Sequence, residues 1–237
     1  MSRGAILITR PEPGGAETAA RVAALGFEPL LAPALVLTPR PFVIPDAQAL
    51  LLTSRAAARS VPVNPALPVF AVGEATAAEA RGRGFAHVTA AAGTAAELAR
   101  LAAARLDPAG LPLLLAVGQG YALDLARDLR GHGFRVIRRI AYAAEPAGSL
   151  PPEVVAAWSA GRIGTMLFHS PRSALCAINL IRAAGLAAGA RRVEVLAISR
   201  RVGEAAAAAI SPEQWRSVRH APRPDEEALL GLLGRPD

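Results

Sequence analysis

The chain carries one pattern twice, and each repeated piece is separated from its copy by a different unit. Residues 5–11 (AILITRP), a helical stretch ending in Leu25-Gly26-Phe27 and an apolar run to Leu37 form the first piece. They return as LLLAVG at 113–118, a helical stretch ending in His132-Gly133-Phe134 and an apolar run to Tyr142. The two Gly-Phe pairs lie 107 residues apart, and the same offset places Ile6 on Leu113 without a gap. A second piece behaves alike: LLLTSRAAA at 50–58 returns as MLFHSPRSA at 166–174, and VFAVGEATAAEA at 69–80 returns as VLAISRRVGEAA at 195–206. The order is A, B, A, B. A strand-helix unit must bury its apolar face against neighbours, so two similar lobes, and one cleft between them, are expected.

Composition fits that plan. With 237 residues and 52% hydrophobic content the chain can bury one large core or two small ones, and short strands with Ala-rich helices favour two. No apolar run reaches the roughly 20 residues that cross a bilayer. The opening MSRGAILITRP enters a strand at once and lacks the pattern of a cleavable signal, so a cytoplasmic protein is expected. Cys176 has no second cysteine to pair with, and His87, His132, His169 and His220 are scattered one per segment, so no metal site is expected. Cys176 reads as a small core thiol.

The net charge of +7 comes from 26 basic residues, every one of them arginine. That bias, beside so much Ala, Gly and Pro, looks like a coding background. It still favours an anionic partner, because the guanidinium fork grips carboxylates in pairs. Widely spaced arginines with 4% aromatics do not make a stacking platform for single-stranded nucleic acid. A small polyanion is the expected ligand, and neither nucleic acid nor membrane is an expected partner.

Along the chain, strands and helices alternate at the spacing of parallel sheets covered on both faces. Gly26 stops the first helix and Thr94 caps a later one. Residues 32–45 carry prolines at 33, 39, 41 and 45 and read as an extended connection outside either core. Residues 143–152, with three prolines and a Gly-Ser, read as a second one. The fold class is therefore α/β, doubly wound, twice.

In such sheets ligands lie beyond the carboxyl ends of the strands, where loops enter helix N-termini. The loops are Thr9-Arg10-Pro11, Thr53-Ser54-Arg55, residues 72–76 with Gly73 and Thr76, Gly118-Gln119-Gly120, His169-Ser170-Pro171-Arg172 and Ile198-Ser199-Arg200-Arg201. Nearly all hold a hydroxyl or a glycine, which leaves backbone N–H groups and the positive end of a helix dipole for an anion. Each loop alone is an ordinary helix cap; six of them in two lobes would line one cleft. None has a dinucleotide or Walker pattern, and no Ser-His-Asp or Cys-His set can be assembled. Glu79, Glu97 and Asp128 read as solvated surface. The residues by themselves define a two-lobed, metal-free binder of a small anion-rich molecule.

The ordered motifs resemble uroporphyrinogen-III synthase. The resemblance runs through ILITRP with its helix and Gly26, Thr53-Ser54-Arg55, AVGEATA at 71–77, Gly133-Phe134, Ile140-Ala141-Tyr142 and FHSP at 168–171. It covers nearly the whole chain, and the order and spacing carry it rather than any single motif. It implies two flavodoxin-like lobes joined by a two-stranded extended linker, with the active-site cleft between them. Lobe one would be 1–37 plus 147–237, and lobe two 38–146, so that A of one copy packs with B of the other.

The resemblance also implies an activity. Family members cyclise hydroxymethylbilane, a linear tetrapyrrole with eight carboxylates, to uroporphyrinogen III with inversion of ring D, on the route to heme, siroheme and cobalamin. No cofactor or metal takes part. The protein would be a monomeric lyase receiving its substrate by transient hand-over from hydroxymethylbilane synthase. Tyr142 aligns with the family tyrosine and would position or protonate the leaving hydroxyl. Gly73 and Thr76 match a Gly-x-x-Thr loop that would bind carboxylates; Ser54, Ser170, Pro171 and Ser199 would contribute hydroxyls or backbone amides, and Arg10 and Arg172 charge.

Two loops depart from the family pattern. Ser199 and Val202 stand where a second Gly-x-x-Thr is usual, and His169 where Thr is usual. Both leave open a non-catalytic, ligand-binding or regulatory relative on the same scaffold. With Thr76 opposite Val202 and Tyr142 opposite Leu35 in the repeat, side-chain chemistry is expected to concentrate on lobe two.

Overall fold

The computed structural model describes residues 4–120 and 122–234, and the chain separates into two compact units. One takes the chain up to Val36 together with Glu145 onward; the other is Leu37–Ala144. In chain order the elements are β1 (Ala5–Ile8), α1 (Gly14–Ala24), β2 (Pro29–Leu31), β3 (Leu35–Pro39), β4 (Ala49–Leu52), α2 (Arg55–Ser60), β5 (Val69–Ala71), α3 (Glu74–Gly82), β6 (Val88–Ala90), α4 (Ala95–Arg105), β7 (Leu113–Gly118) and α5 (Leu123–Gly131). They continue with β8 (Val136–Pro146), α6 (Pro152–Ser159), β9 (Ile163–Phe168), α7 (Pro171–Ala183), a 3₁₀ turn (Ala187–Arg192), β10 (Glu194–Ala197), α8 (Arg200–Ile210), β11 (Ser217–His220) and α9 (Glu226–Gly231). The sequence predicted a helix beginning at 121 for α5; residue 121 lies outside the described residues.

The first unit holds a parallel sheet of order β2-β1-β9-β10-β11. The second holds β8-β7-β4-β5-β6, also parallel, with β3 added beyond β8. Superimposing the repeats makes the two five-strand orders identical: the A strands of one copy pair with the B strands of the other in both sheets. The interleaved order in sequence is thus a swap between two equal folds.

Strand sequences explain the burial. Successive side chains in a strand point to opposite faces, and in β4 Ala49 and Leu51 enter one core cluster while Leu50 and Leu52 enter another. β1 divides likewise, Leu7 to one face and Ile6 and Ile8 to the other. Both faces are covered by helices, so an unbroken apolar run is required rather than an alternating one. Fully burying each leucine contributes roughly 1.5–3 kcal/mol.

The repeated Gly-Phe pairs are helix stops. After α1, Gly26 at φ +85° donates to Ala23 and Phe27 to Val22; after α5, Gly133 at φ +88° donates to Arg130 and Phe134 to Leu129. A left-handed residue there satisfies two terminal carbonyls at once, which glycine does without strain. Phe27 and Phe134 are then turned into their cores, 7% and 3% exposed.

The two extended connections pair with each other as the expected two-stranded linker, and one boundary is corrected. Residues 35–39 form a strand, and β8 runs on to Pro146 through part of the supposed second connection. The two run in opposite directions: the Arg40 N–H donates to the Ala141 carbonyl (2.7 Å) and the Ala147 N–H to the Ala34 carbonyl (3.0 Å). β3 is an edge strand, where a proline such as Pro39 is tolerated because one row of backbone groups needs no partner. Glu79 is also corrected from solvated surface to a half-buried ion pair with Arg59 (2.8 Å). Glu97 closes a capping box with Thr94.

Candidate functional site

Successive connections leave β4 and β7 in opposite directions across the second sheet, and such a divergence opens a crevice at the strands' carboxyl ends. Three residues meet there. Ser54 follows β4 in extended backbone and caps α2, its Oγ accepting the Ala57 N–H at 3.1 Å. Tyr142 on β8 brings its Oη to 3.3 Å from that same Oγ. Gly118 ends β7 opposite Tyr142, beside a register shift in the β7–β8 pairing.

Gly118 is there for room. A Cβ on it would lie 2.7 Å from Tyr142 Cζ and 2.8 Å from its Oη, inside any real contact. The next residue fixes the tyrosine backbone, with the Gln119 N–H donating to the Tyr142 carbonyl at 3.1 Å. Tyr142 is half-buried, its ring packed on the cluster that contains Leu50 and Leu52. Ser54 Oγ already accepts from the α2 backbone, so its own proton is available to Tyr142. With Ser54 donating, the phenol proton is left for a ligand.

Gly73 and Thr76 stand one strand over, at the end of β5. Gly73 caps α3 in extended backbone, and a Cβ on it would press to 3.3 Å of the Gly93 Cα. Thr76 lies in the first turn of α3, 5% exposed. The structure therefore joins Ser54 to Tyr142, while Gly73 and Thr76 form a neighbouring helix start.

The first unit diverges in the same way between β1 and β9. The Thr9 hydroxyl donates to the Leu167 carbonyl at 3.0 Å, tying the ends of these strands together. Arg10, expected to offer charge to a ligand, is held within the unit: its Nη1 meets Glu226 Oε2 at 2.5 Å and Thr18 Oγ1 at 3.4 Å. The buried Thr18 hydroxyl also donates to the other Glu226 oxygen. Gly14 permits this, since a Cβ there would lie 2.3 Å from Arg10 Nε. Burial works against the Glu226 charge, but the Thr18 hydrogen bond and the Arg10 guanidinium outweigh it and hold the carboxyl below its ordinary range.

His169 follows β9 beside this triad. Its two ring nitrogens are buried and have no hydrogen-bond partner. Burial, then the Arg10 charge, push its pKa from 6.5 down to about 4, with Glu226 pulling the other way. Ser170 caps α7, accepting the Ser173 N–H at 3.1 Å and donating to Ser173 Oγ at 2.9 Å. Pro171 is the first residue of α7, where its missing N–H costs nothing, and Arg172 is exposed. Ser199 occupies the cap position of α8 without a side-chain cap bond. Val202, 3% exposed, is part of the core.

The sequence did not bring Thr18, Glu226 and His169 together as a group, which the structure does. His169 was visible as a departure in its loop. Thr18 and Glu226 were not visible, being 208 residues apart. Among the described residues no group of three or more His, Cys, Asp or Glu is placed to hold a metal ion, and no helix is long and apolar enough to cross a membrane.

Fold and loops together define a class: α/β proteins with two parallel sheets of one topology, each presenting hydroxyl and glycine loops at its strands' carboxyl ends. The family model described as uroporphyrinogen-III synthase HemD matches residues 16–231. The chain belongs to the uroporphyrinogen-III synthase family, a family of enzymes. A crystal structure of uroporphyrinogen-III synthetase from Helicobacter pylori has a similar fold, with TM-score 0.59 and 14% identity over 97% of this chain and 98% of that one. A mutant uroporphyrinogen III synthase from Thermus thermophilus matches at TM-score 0.46 and 18% identity, covering 97% of each chain. A search of curated proteins finds no match.

Proposed function

We propose that this protein is a working uroporphyrinogen-III synthase, a cyclising lyase that converts hydroxymethylbilane to uroporphyrinogen III and water. The observation that carries the reading is the family match over residues 16–231. The Tyr142–Ser54 pair at the switch point of the second sheet supports it, because a half-buried phenol held by one partner is a suitable proton donor.

In this reading Tyr142 hydrogen-bonds the hydroxymethyl oxygen of ring A and delivers a proton as that oxygen leaves as water. Pyrrole nitrogen electrons drive the departure, so modest acid assistance is enough. Ring D attacks the resulting azafulvene through its substituted carbon, and the spiro intermediate fragments and recloses with ring D inverted. A carbon-bound proton is lost at the end, which balances the loss of one water overall. Unassisted closure gives the uninverted isomer, so the protein's main task is to hold the chain in the spiro-forming geometry.

The remaining residues bind. Backbone amides at the starts of α2, α3 and α7, with Ser54, Thr76 and Ser170, are assigned to acetate and propionate groups. Gly73 and Pro171 shape those turns, and Ser199 and Arg172 supply further polar contacts. Arg10 contributes field rather than a free fork, since Glu226 already occupies it. We further infer a cytoplasmic monomer that takes a reactive substrate directly from the synthase making it. Incubating purified protein with hydroxymethylbilane and separating the isomers tests the reading: the type III isomer in excess is expected, and type I alone at the spontaneous rate would overturn it.

A further inference from the structure

We propose that His169 contacts the substrate directly, donating a ring N–H to one of its carboxylates and so serving as a binding residue of the first unit; this rests on the synthase reading above. Three observations lead there. Both ring nitrogens are buried without a partner, an arrangement a core does not keep for packing alone because an unmade buried hydrogen bond is costly. The side chain sits where β1 and β9 diverge, the position at which sheets of this topology take their ligands. The polar groups around it satisfy one another: Thr18 on α1 and Arg10 after β1 are both bound to Glu226 on α9, and Ser170, the cap of α7, bonds to Ser173 in its first turn. His169 is left over.

Chemistry then selects the partner. Burial and the nearby Arg10 charge keep the imidazole neutral down to about pH 4, and a neutral ring offers one donor and one acceptor. The donor suits a carboxylate. The acceptor suits a pyrrole N–H, and the linear tetrapyrrole carries both groups. Glu226 cannot take the donor role, and Arg10 is already committed to Glu226. The repeat places Thr53 at the corresponding position of the second unit, so the two switch points offer different donors at equivalent places.

The test combines kinetics, stability and resonance. His169→Leu is expected to raise KM for hydroxymethylbilane about tenfold with kcat within about threefold, the loss of one charge-assisted hydrogen bond. Its Tm is expected to equal or exceed that of the parent, because an unpaired polar group has been removed from the interior. His169→Gln, which keeps a donor, is expected to recover most of the KM. In the unmodified protein, uroporphyrin III as an octacarboxylate probe should shift the His169 ring nitrogen resonances. An unchanged KM in His169→Leu, or ring resonances that ignore the probe, would overturn the assignment. A parent protein that forms type I alone would overturn the synthase reading instead, which the resonance measurement does not depend on.

Discussion

Tyr142 Oη lies 3.3 Å from Ser54 Oγ, and the carbon of Tyr142 that bears this oxygen would be 2.7 Å from a Cβ on Gly118. One hydroxyl aims the phenol and one missing methyl makes room for it. The repeat has no such pair in its other copy, where Leu35 stands in place of Tyr142 and is core, 6% exposed.

Tyr142→Phe removes only the hydroxyl. Type III formation should slow by about 10²-fold, the low end for loss of a proton donor, with the thermal midpoint nearly unchanged. Isomer-resolved kinetics beside a melting curve checks it; unaltered kinetics would take Tyr142 out of the mechanism.

Gly118→Ala should reproduce much of that loss without touching the tyrosine. The new methyl must push the ring off its place, and overpacking of this kind costs about 1–3 kcal/mol. A denaturant titration measures the cost, and the same kinetic assay measures the displacement. Full activity would show that ring position does not matter.

Stability should depend on pH through His169. The unfolded side chain protonates near 6.5 and the folded one near 4. Between these values the unfolded state binds the extra proton, so stability falls as pH drops through the window. The loss is about 3 kcal/mol at most, taking one pKa unit as about 1.4 kcal/mol. Glu226 acts lower down: its folded carboxyl is depressed, so its contribution is present above 4.5 and fades as pH falls through the folded value. Denaturant titrations of the parent and of His169→Leu at pH 7.5, 6 and 4.5 isolate the histidine, whose variant should show the flatter profile.

Thr94→Ala should cost about 1 kcal/mol. It breaks a capping box in which the Glu97 N–H donates to Thr94 Oγ1 and the Thr94 N–H to Glu97 Oε2. A urea midpoint shift with unchanged kinetics is the expected pair of results, since nothing ties this cap to the Tyr142 pair.

Local signals made the fold readable. Gly26 and Gly133 write their helix stops into the sequence, and Leu50 to Leu52 write a strand buried on both faces. The prolines of β3 mark an extended connection, and its pairing with β8 is allowed because a sheet edge tolerates proline. In the candidate site, Ser54 was legible as the hydroxyl of a loop that follows an apolar strand, and Tyr142 through its alignment with the family tyrosine. Glu226 was not: on a short C-terminal helix it has the look of a surface acid, and its partners Arg10 and Thr18 lie more than 200 residues away. Such a cluster exists only once α9 has docked, with Leu229 and Leu230 joining Ile6, Ile8 and Val22 in one core cluster.

The central claim is that Tyr142, held by Ser54 over Gly118, assists departure of the ring A hydroxyl in a type III-forming synthase. Product analysis of hydroxymethylbilane turned over by the parent and by Tyr142→Phe tests it most directly. The account predicts predominantly type III isomer from the parent and a type III rate lower by about 10²-fold in the variant. Type I alone from the parent, or equal type III rates from both, would contradict it.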